Sequence, residues 1–338
     1  MPASTCRATT PASPTTTATA AAHPGNDTRT PHKTPAPHHQ PPLTTTVPKE
    51  LVHRASTADV LLTGWQRLDG HRFTLTAQWP RRHSFFTGID GCHDPLIAAE
   101  TIRQTGILLA HTELGVPLGH HLLVEQLHVN IQPQHLRLDH TPTGLELHVT
   151  CTRIRQRRGI LASCRLDIHI HRNGQLAATG GGSFTCISPK VYQRLRPTTA
   201  LTHDHRTTTP PTTIPASPHT VGRLTPADVV ISPLPHPHHW QLHTDTRHPV
   251  LFDHPVDHIP GMVLLEAARQ ATTATLGHPN LPLTITSQFT RYVELDTPCT
   301  ITTHHTPTPQ PHPPTIHITA HQNQTPAFHA TITTTPPP

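Results

Sequence analysis

The chain has few of the residues that build a large hydrophobic core. Of its 338 residues only 33% are hydrophobic and 4% aromatic, whereas typical globular domains are roughly 45–50% apolar. No apolar run approaches the roughly 20 residues of a membrane span. The N-terminus also lacks the apolar segment of a secretory signal. We therefore predict a cytoplasmic protein that does not associate with a membrane and of which a large part is not packed.

Several chemical signatures are also missing. The six cysteines include no Cys-x-x-Cys pair, so a reducing compartment is the default. No Gly-x-Ser-x-Gly elbow is present for a serine nucleophile. The run Gly180–Gly182 has no following lysine, which predicts a strand bulge and not a phosphate loop. The formal charge of +5 is scattered, with no basic stripe interleaved with aromatics. We therefore expect no nucleic-acid binding, no metal and no cofactor.

Proline, threonine and histidine are abundant instead, with 40 Pro and 34 His. Two segments rich in them, 1–48 and 193–220, show no apolar periodicity. The first is predicted to be a disordered tail and the second a linker. The remaining segments, 49–192 and 221–335, are then two folded domains.

Both predicted domains have the same order of elements: one strand, one long helix, then four strands. The helices are expected from Asp94, as N-cap, to about His111 and from Gly261 to about Leu276. The strands are expected at 71–79, 122–131, 145–154, 160–170 and 175–187, and at 240–248, 283–295, 299–305, 315–321 and 327–334. Asn173–Gly174 is a strong hairpin signal. The fold class is therefore α+β, with each long helix packed on one face of an antiparallel sheet.

The similarity between the domains extends to the residues. The segments 52–60 (VHRASTADV) and 221–229 (VGRLTPADV) share five of nine positions, and Arg-His recurs at 82–83 and 247–248. Glu-x-x-Arg-Gln occurs in both helices. An internal duplication is the simplest explanation.

A polar patch interrupts each apolar helix. Residues at i, i+3 and i+4 share a helical face, so the patches are Glu100, Arg103 and Gln104, and Glu266, Arg269 and Gln270. The rest of each circumference is apolar, which is typical of a buried helix. We expect each patch to face a polar cavity or a subunit interface. The alternative is a solvated Glu–Arg pair that contributes a few tenths of a kcal/mol.

Long segments resemble two groups of hot-dog proteins. The segment HPVLFDHPVDHIPGMVLLEAARQ resembles the hydroxyacyl-carrier dehydratases, in which a His precedes a Pro-Gly turn and a carboxylate lies on the central helix. It resembles more closely the A-factor (γ-butyrolactone) biosynthesis family of actinomycetes. That family is also matched by VHRASTADV, QWPRRHSFF, DPLIAAETIRQTGILLAH, VPLGHHLLVEQLHV and VGRLTPADVV. The resemblance covers about 50–330 and implies two fused hot-dog domains that form a pseudo-dimer within one chain.

The resemblance also implies a reaction. The protein is expected to move a β-ketoacyl group from acyl carrier protein to the hydroxyl of dihydroxyacetone phosphate, in the synthesis of a γ-butyrolactone signal. The dehydratase carboxylate carries over onto Glu266. The dehydratase histidine carries over onto His254, but the turn to Pro260–Gly261 is two residues shorter here, and His258 is a competitor.

The residues themselves allow this chemistry. A carboxylate in an apolar helix is expected to have a raised pKa, so Glu266 is the candidate general base, with Glu100 as its counterpart. Arg269 could bind a phosphate or hold Glu266 ionised. The backbone N–H of Gly261 could polarise a thioester carbonyl, whereas Pro95, at the equivalent position, has no N–H. The second domain is therefore expected to hold the acyl site. Substrate contacts are expected from Arg103, Gln104, Gln270 and His258.

Two rival functions remain open. One is a hot-dog dehydratase or thioesterase acting on acyl carrier thioesters, and the other is a non-catalytic acyl-binding or regulatory protein. The cluster Arg153–Arg158 could dock an acidic carrier protein or simply be a solvated hairpin end.

Overall fold

A computed structural model describes residues 44–196, 213–306 and 313–336. The N-terminal half contributes β1 Leu62–Asp69, β2 Arg72–Trp79, α1 Leu96–Thr112, β3 His121–Ile131, β4 Thr143–Arg157, β5 Ile160–Arg172, β6 Gln175–Ile187 and α2 Pro189–Leu195. The C-terminal half contributes β7 Ile231–Pro233, β8 His239–Leu242, α3 Gly261–Leu276, β9 Leu281–Phe289, β10 Cys299–Thr306, β11 Thr315–Gln322 and β12 Thr325–Thr335.

All twelve strands form one antiparallel sheet in the order β1-β2-β4-β5-β6-β3-β9-β12-β11-β10-β8-β7. The halves join where β3 pairs with β9, with Gln126 opposite Gln288 and Asn130 opposite Thr284. Each half thus has the order expected of a duplicated unit. Short chain reversals set the strand pairing: Asn173–Gly174 and Arg158–Gly159 both have positive φ at both residues, which matches the twist of a two-residue hairpin.

The two long helices pack on the sheet and contact each other. The helix α1 begins at Leu96 with Pro95 as its N-cap, one residue later than predicted. Oδ1 of Asp94 nevertheless accepts a hydrogen bond from the backbone N–H of Leu96 at 2.9 Å. Helix α3 ends at Gly277, whose φ of 71° is the left-handed conformation that glycine adopts at a helix end. Among the described residues no helix is long and apolar enough to cross a membrane.

Some predicted elements were incomplete. The strand predicted at 240–248 ends at Leu242, because Asp245 accepts a hydrogen bond from the backbone N–H of Arg247 and turns the chain. Strand β1 was missed, since it is an edge strand that is exposed along most of its length and shows no apolar alternation. The predicted bulge at Gly180–Gly182 is wrong. The register is regular there, and the irregularity lies in β3 at Glu125.

The glycines of β6 serve close packing instead. A Cβ on Gly180 would collide with the side chain of Ile102 of α1, and one on Gly182 would collide with the carbonyl of Gln126. The helix therefore lies close to the sheet at this point.

The predicted domain boundaries fall partly on residues outside the described ranges. The tail prediction for 1–43 and the linker prediction for 197–212 both lie there. The described ends of these segments are packed. Val47 is buried and donates its N–H to the carbonyl of Leu62, and the N–H of Ala216 bonds the carbonyl of Ile231.

Candidate active site

Glu266 of α3 lies in a closed network of hydrogen bonds. Its carboxylate accepts bonds from Arg223, from Arg269 one turn along the helix, and from Gln270, at 2.5–2.9 Å. Arg223 also donates to the carbonyl of Phe85 in the other half of the chain at 2.7 Å and stacks over the Phe85 ring. Gln270 also binds the backbone of the segment before β7. Its amide nitrogen donates to the carbonyl of Asp228, and its amide oxygen accepts from the N–H of Val230.

These contacts overturn the expected raised pKa of Glu266. Burial alone would raise the pKa, but the charges of Arg223 and Arg269 outweigh it and lower the pKa to about 2. The side chain of Glu266 is fully enclosed. A carboxylate that is ionised, saturated by donors and out of reach of solvent is a poor general base. The patch is also not a solvated pair, because Arg269 is only 2% exposed.

The same network is repeated around Glu100 in α1. Arg54 takes the place of Arg223, and Arg103 and Gln104 complete the set at 2.7–3.0 Å. Arg54 reaches across to the carbonyl of Val250 in the second half at 2.8 Å. Burial raises the pKa of Glu100, but Arg103 and Arg54 lower it to about 2 overall. Each network thus links its helix to the opposite half of the chain.

A cavity of about 590 Å³ lies between the halves, bounded by α1, the start of α3, β3 and β6. Four predicted site residues line it: Arg103, His254, His258 and Gly261. The other five do not line it: Glu100, Gln104, Glu266, Arg269 and Gln270. Gly261 of one half therefore shares the cavity with Arg103 of the other half and not with Glu266.

Arg103 and Arg269 occupy equivalent positions in the two helices but differ in exposure, because different residues surround them. The Arg103 side chain is 19% exposed, and its neighbour His53 also lines the cavity. The residue aligned with His53 is Gly222, and an added Cβ there would lie 3.2 Å from Nη1 of Arg269. The fully buried ring of Phe85 packs against Arg223 of the same network. Among the described residues, the cavity thus adjoins Arg103, and Arg269 does not line it.

The N-terminus of α3 lies at the cavity. The N–H groups of Val263 and Leu264 bond the carbonyl of Pro260, whereas Gly261 and Met262, which line the cavity, begin the helix where backbone N–H groups lack intrahelical partners. The helix dipole adds positive potential at this end. This arrangement suits an oxygen that gains negative charge.

His258 is oriented beside these donors. Its Nδ1–H donates to Oδ1 of Asp257 at 2.7 Å, and the hydroxyl of Tyr192 donates to the same oxygen at 2.6 Å. Burial raises the pKa of Asp257, but the bonds from His258, Tyr192 and Arg196 lower it well below its usual range. The carboxylate thus stays ionised and holds the Nδ1 side of the His258 ring, so Nε2 is the ring nitrogen left to contact substrate.

His254 has a similar pairing in a more exposed place. Its Nδ1–H donates to Oδ1 of Asp253 at 2.6 Å, and its side chain is 46% exposed, against 28% for His258. Across the cavity, the ring nitrogens of His53 and His111 lie 2.8 Å apart. Burial, with His111 and Arg103 nearby, lowers the pKa of His53 to about 3.

Several site residues were not predicted. Arg54 and Arg223 occupy the shared arginine position of the repeated segments, so the repeat itself was a usable signal. Tyr192 and Arg196 fall at the edge of the predicted linker and gave no periodic signal. Arg196 binds Asp257 at 3.0 Å and Glu294 at 2.6 Å, which fixes the C-terminal end of α2 over the cavity.

Comparison with known proteins agrees with this architecture. The A-factor biosynthesis hotdog domain model matches residues 36–188 and again 203–338. A 2-oxo-3-(phosphooxy)propyl 3-oxoalkanoate synthase of Streptomyces virginiae is 48% identical over 293 residues, which cover 86% of this chain and 98% of that protein. A protein of the same name from Streptomyces coelicolor is 38% identical, over 85% of this chain and 90% of that protein.

Among solved structures, a 12:0-ACP thioesterase from Umbellularia californica aligns with 78% of this chain and 94% of that one, at 10% identity and a TM-score of 0.49. The two consecutive domain matches correspond to the two halves of the sheet. The chain belongs to the A-factor biosynthesis hotdog domain family, with two fused hot-dog domains.

Proposed function

We propose that the chain is an acyltransferase that moves a β-ketoacyl group from an acyl carrier protein thioester to the free hydroxyl of dihydroxyacetone phosphate. The name of the relatives describes the product of this reaction, a 2-oxo-3-(phosphooxy)propyl 3-oxoalkanoate. The two halves act as a pseudo-dimer and supply one site between them.

The acyl thioester lies along the apolar part of the cavity, whose wall includes Ile102, Leu264 and Phe289. Its carbonyl oxygen faces the start of α3, where the N–H groups of Gly261 and Met262 stabilise the negative charge of the tetrahedral intermediate. Gly261 also lets the Phe289 ring pack closely against the start of α3. Its α-carbon faces the Phe289 ring, and a Cβ there would lie 3.1 Å from that ring.

His258 moves the proton. Nε2 takes the proton of the acceptor hydroxyl as its oxygen attacks the thioester carbonyl carbon, and the C–O bond forms. When the intermediate collapses, the C–S bond breaks and the imidazolium returns the proton to the departing carrier thiolate. The ionised Asp257 holds the ring in place and stabilises the imidazolium.

Arg103 binds the phosphate of the acceptor. Its guanidinium lines the cavity and keeps two bonds to Glu100, so it is both fixed and accessible. The networks around Glu100 and Glu266 hold the helices across the interface. Gln104, Arg269 and Gln270 act with them, positioning the site without touching substrate.

One observation supports this function best: the N-terminus of α3 at Gly261, the hydrogen-bonded His258 and the accessible Arg103 all line the same cavity. Incubation of the chain with a β-ketoacyl carrier thioester and dihydroxyacetone phosphate should give the phosphorylated ester by mass spectrometry. Free acid alone would indicate a thioesterase, loss of water a dehydratase, and binding without turnover an acyl-binding protein. Each of these results would contradict the acyltransferase.

A further inference from the structure

Six cations lie at one end of the strands β4, β5 and β6, where β4 turns into β5 and β6 leads into α2. They are Arg153, Arg155, Arg157, Arg158, Lys190 and Arg194, and we call them the basic edge. All are exposed, and among the described residues none of these side chains has a recorded ion pair or hydrogen bond. From 147 to 196 the only acidic residue is Asp167, which lies 3.6 Å from Arg165.

Strand register brings these residues together. In the sheet Ser163 lies opposite Thr185, so the β4–β5 turn lies at the level of the start of α2. A Cβ on Gly115, just after α1, would lie 3.1 Å from the carbonyl oxygen of Gly159. The loop after α1 therefore adjoins the same turn.

The basic edge adjoins residues that line the cavity. His121 lies opposite Ile187 and stacks on the Tyr192 ring of α2, with 3.6 Å between the ring centroids. His121 and Tyr192 both line the cavity. A partner held at the basic edge is thus beside residues that line the cavity, and a flexible arm from it has a short path to them.

The surface next to these charges is partly apolar. Leu118, Val191 and Leu195 are 59%, 39% and 62% exposed. Apolar side chains beside unpaired cations fit a partner helix that carries carboxylates and a few apolar residues.

The second half has no counterpart. No lysine or arginine follows Arg291 in the sequence, so β10, β11 and β12 carry none. Six unpaired cations exceed the formal net charge of +5 for the whole chain. The exposed positive charge is therefore concentrated on the N-terminal half of the sheet.

We propose that the basic edge docks an acidic carrier protein, whose thioester-bearing arm enters the cavity past Tyr192. This inference rests on the proposed function for the identity of the arm, but it concerns a surface outside the reaction site. The carrier is steered and held by charge pairs at the rim, which are sensitive to salt.

The test compares two double variants of equal charge change. Arg155→Glu with Arg157→Glu reverses the basic edge. Arg82→Glu with Arg137→Glu reverses two exposed cations near the opposite end of β4, where Trp79 pairs with Thr143. Each protein is assayed with a 3-oxoacyl carrier protein thioester and with the N-acetylcysteamine thioester of the same acid. Binding of the holo carrier protein to the immobilised chain is measured separately.

We expect the basic-edge variant to lose roughly tenfold or more in kcat/KM for the carrier thioester and in carrier affinity, with the small thioester unaffected. The control variant should match the wild type on both. Unchanged carrier kinetics, or equal losses on both thioesters, would overturn the docking surface. If the wild type binds carrier but turns over neither thioester, the proposed function fails, and the docking surface stands only if the basic-edge variant alone loses binding.

Discussion

The two halves of the molecule carry the same buried ionic network, yet Arg103 of the first network lines the cavity, and among the described residues none of the side chains that bind Glu266 does. Glu100 and Glu266 each accept from two arginines and a glutamine, and both have a pKa near 2. Arg103 opens onto the cavity, while Arg269 is closed in. Duplication thus preserved an anchor between the halves, and the residues of each anchor differ in whether they line the cavity.

The largest effect on turnover is expected from His258, which precedes α3. His258→Ala removes the base, so kcat should fall by about 10²–10⁴ while the thermal midpoint changes little. His254→Ala is the matched control, because His254 also follows and binds an aspartate but is more exposed. Steady-state kinetics decide the matter, and an active His258→Ala beside an inactive His254→Ala would transfer the role to His254.

Breaking the closed network should be the next largest effect. Glu266→Gln leaves Arg223 and Arg269 buried without their carboxylate, and loss of one partner of a buried pair costs about 3–5 kcal/mol. Glu100→Gln should cost less, because Arg103 can turn toward the cavity. Urea unfolding of both variants measures this difference. If the two were equally stable, or if Glu266→Gln were as stable as the wild type, the view of Glu266 as an anchor would be wrong.

Removing the backbone donor of α3 should then lower the rate by about 10²–10³. Gly261→Pro deletes the N–H, and Pro95 at the matching place in α1 has a φ of −55° in an intact helix start. Gly261→Ala is the control, since it keeps the N–H and adds only a Cβ near Phe289. We expect the proline variant to be the slower of the two with the same fold by circular dichroism. Equal rates would remove the role of this N–H.

The smallest expected effect is on the stability of the fold at acidic pH. The pKa of His53 falls from 6.5 to about 3 in the folded chain because burial disfavours the charged ring. A lowered folded pKa means that stability is fully present above pH 6.5 and declines as the pH falls toward 3. His53→Gln should reduce the fall in thermal midpoint across this window. A variant with the same pH profile as the wild type would show that His53 protonates freely.

The sequence was informative where a pattern is local. Both long helices, the hairpin at Asn173–Gly174 and the duplicated Glu-x-x-Arg-Gln patches follow from residues close in the chain, and the hot-dog family was recognisable from long matching segments. The family and the two-domain fold are confirmed. Strand β1 has no such pattern, because an exposed edge strand does not need apolar alternation.

The site needed contacts between distant residues. Glu266 has a lowered pKa because Arg223, 43 residues earlier, supplies the second charge. Arg103 and His53 line the cavity, whereas Gly222, which aligns with His53, and Phe85 pack against the arginines of the second network. Helical spacing predicted which residues share a face, but it carries no information about what packs against that face.

The most direct test of the asymmetry is the Michaelis constant for dihydroxyacetone phosphate in Arg103→Lys and Arg269→Lys. Both changes keep the charge and lose the planar donor fork. We predict that Arg103→Lys raises this constant more than the constant for the acyl donor. Arg269→Lys should leave it unchanged and lower the thermal midpoint instead. A raised constant for the phosphorylated acceptor in Arg269→Lys alone would contradict the account and return the phosphate site to α3.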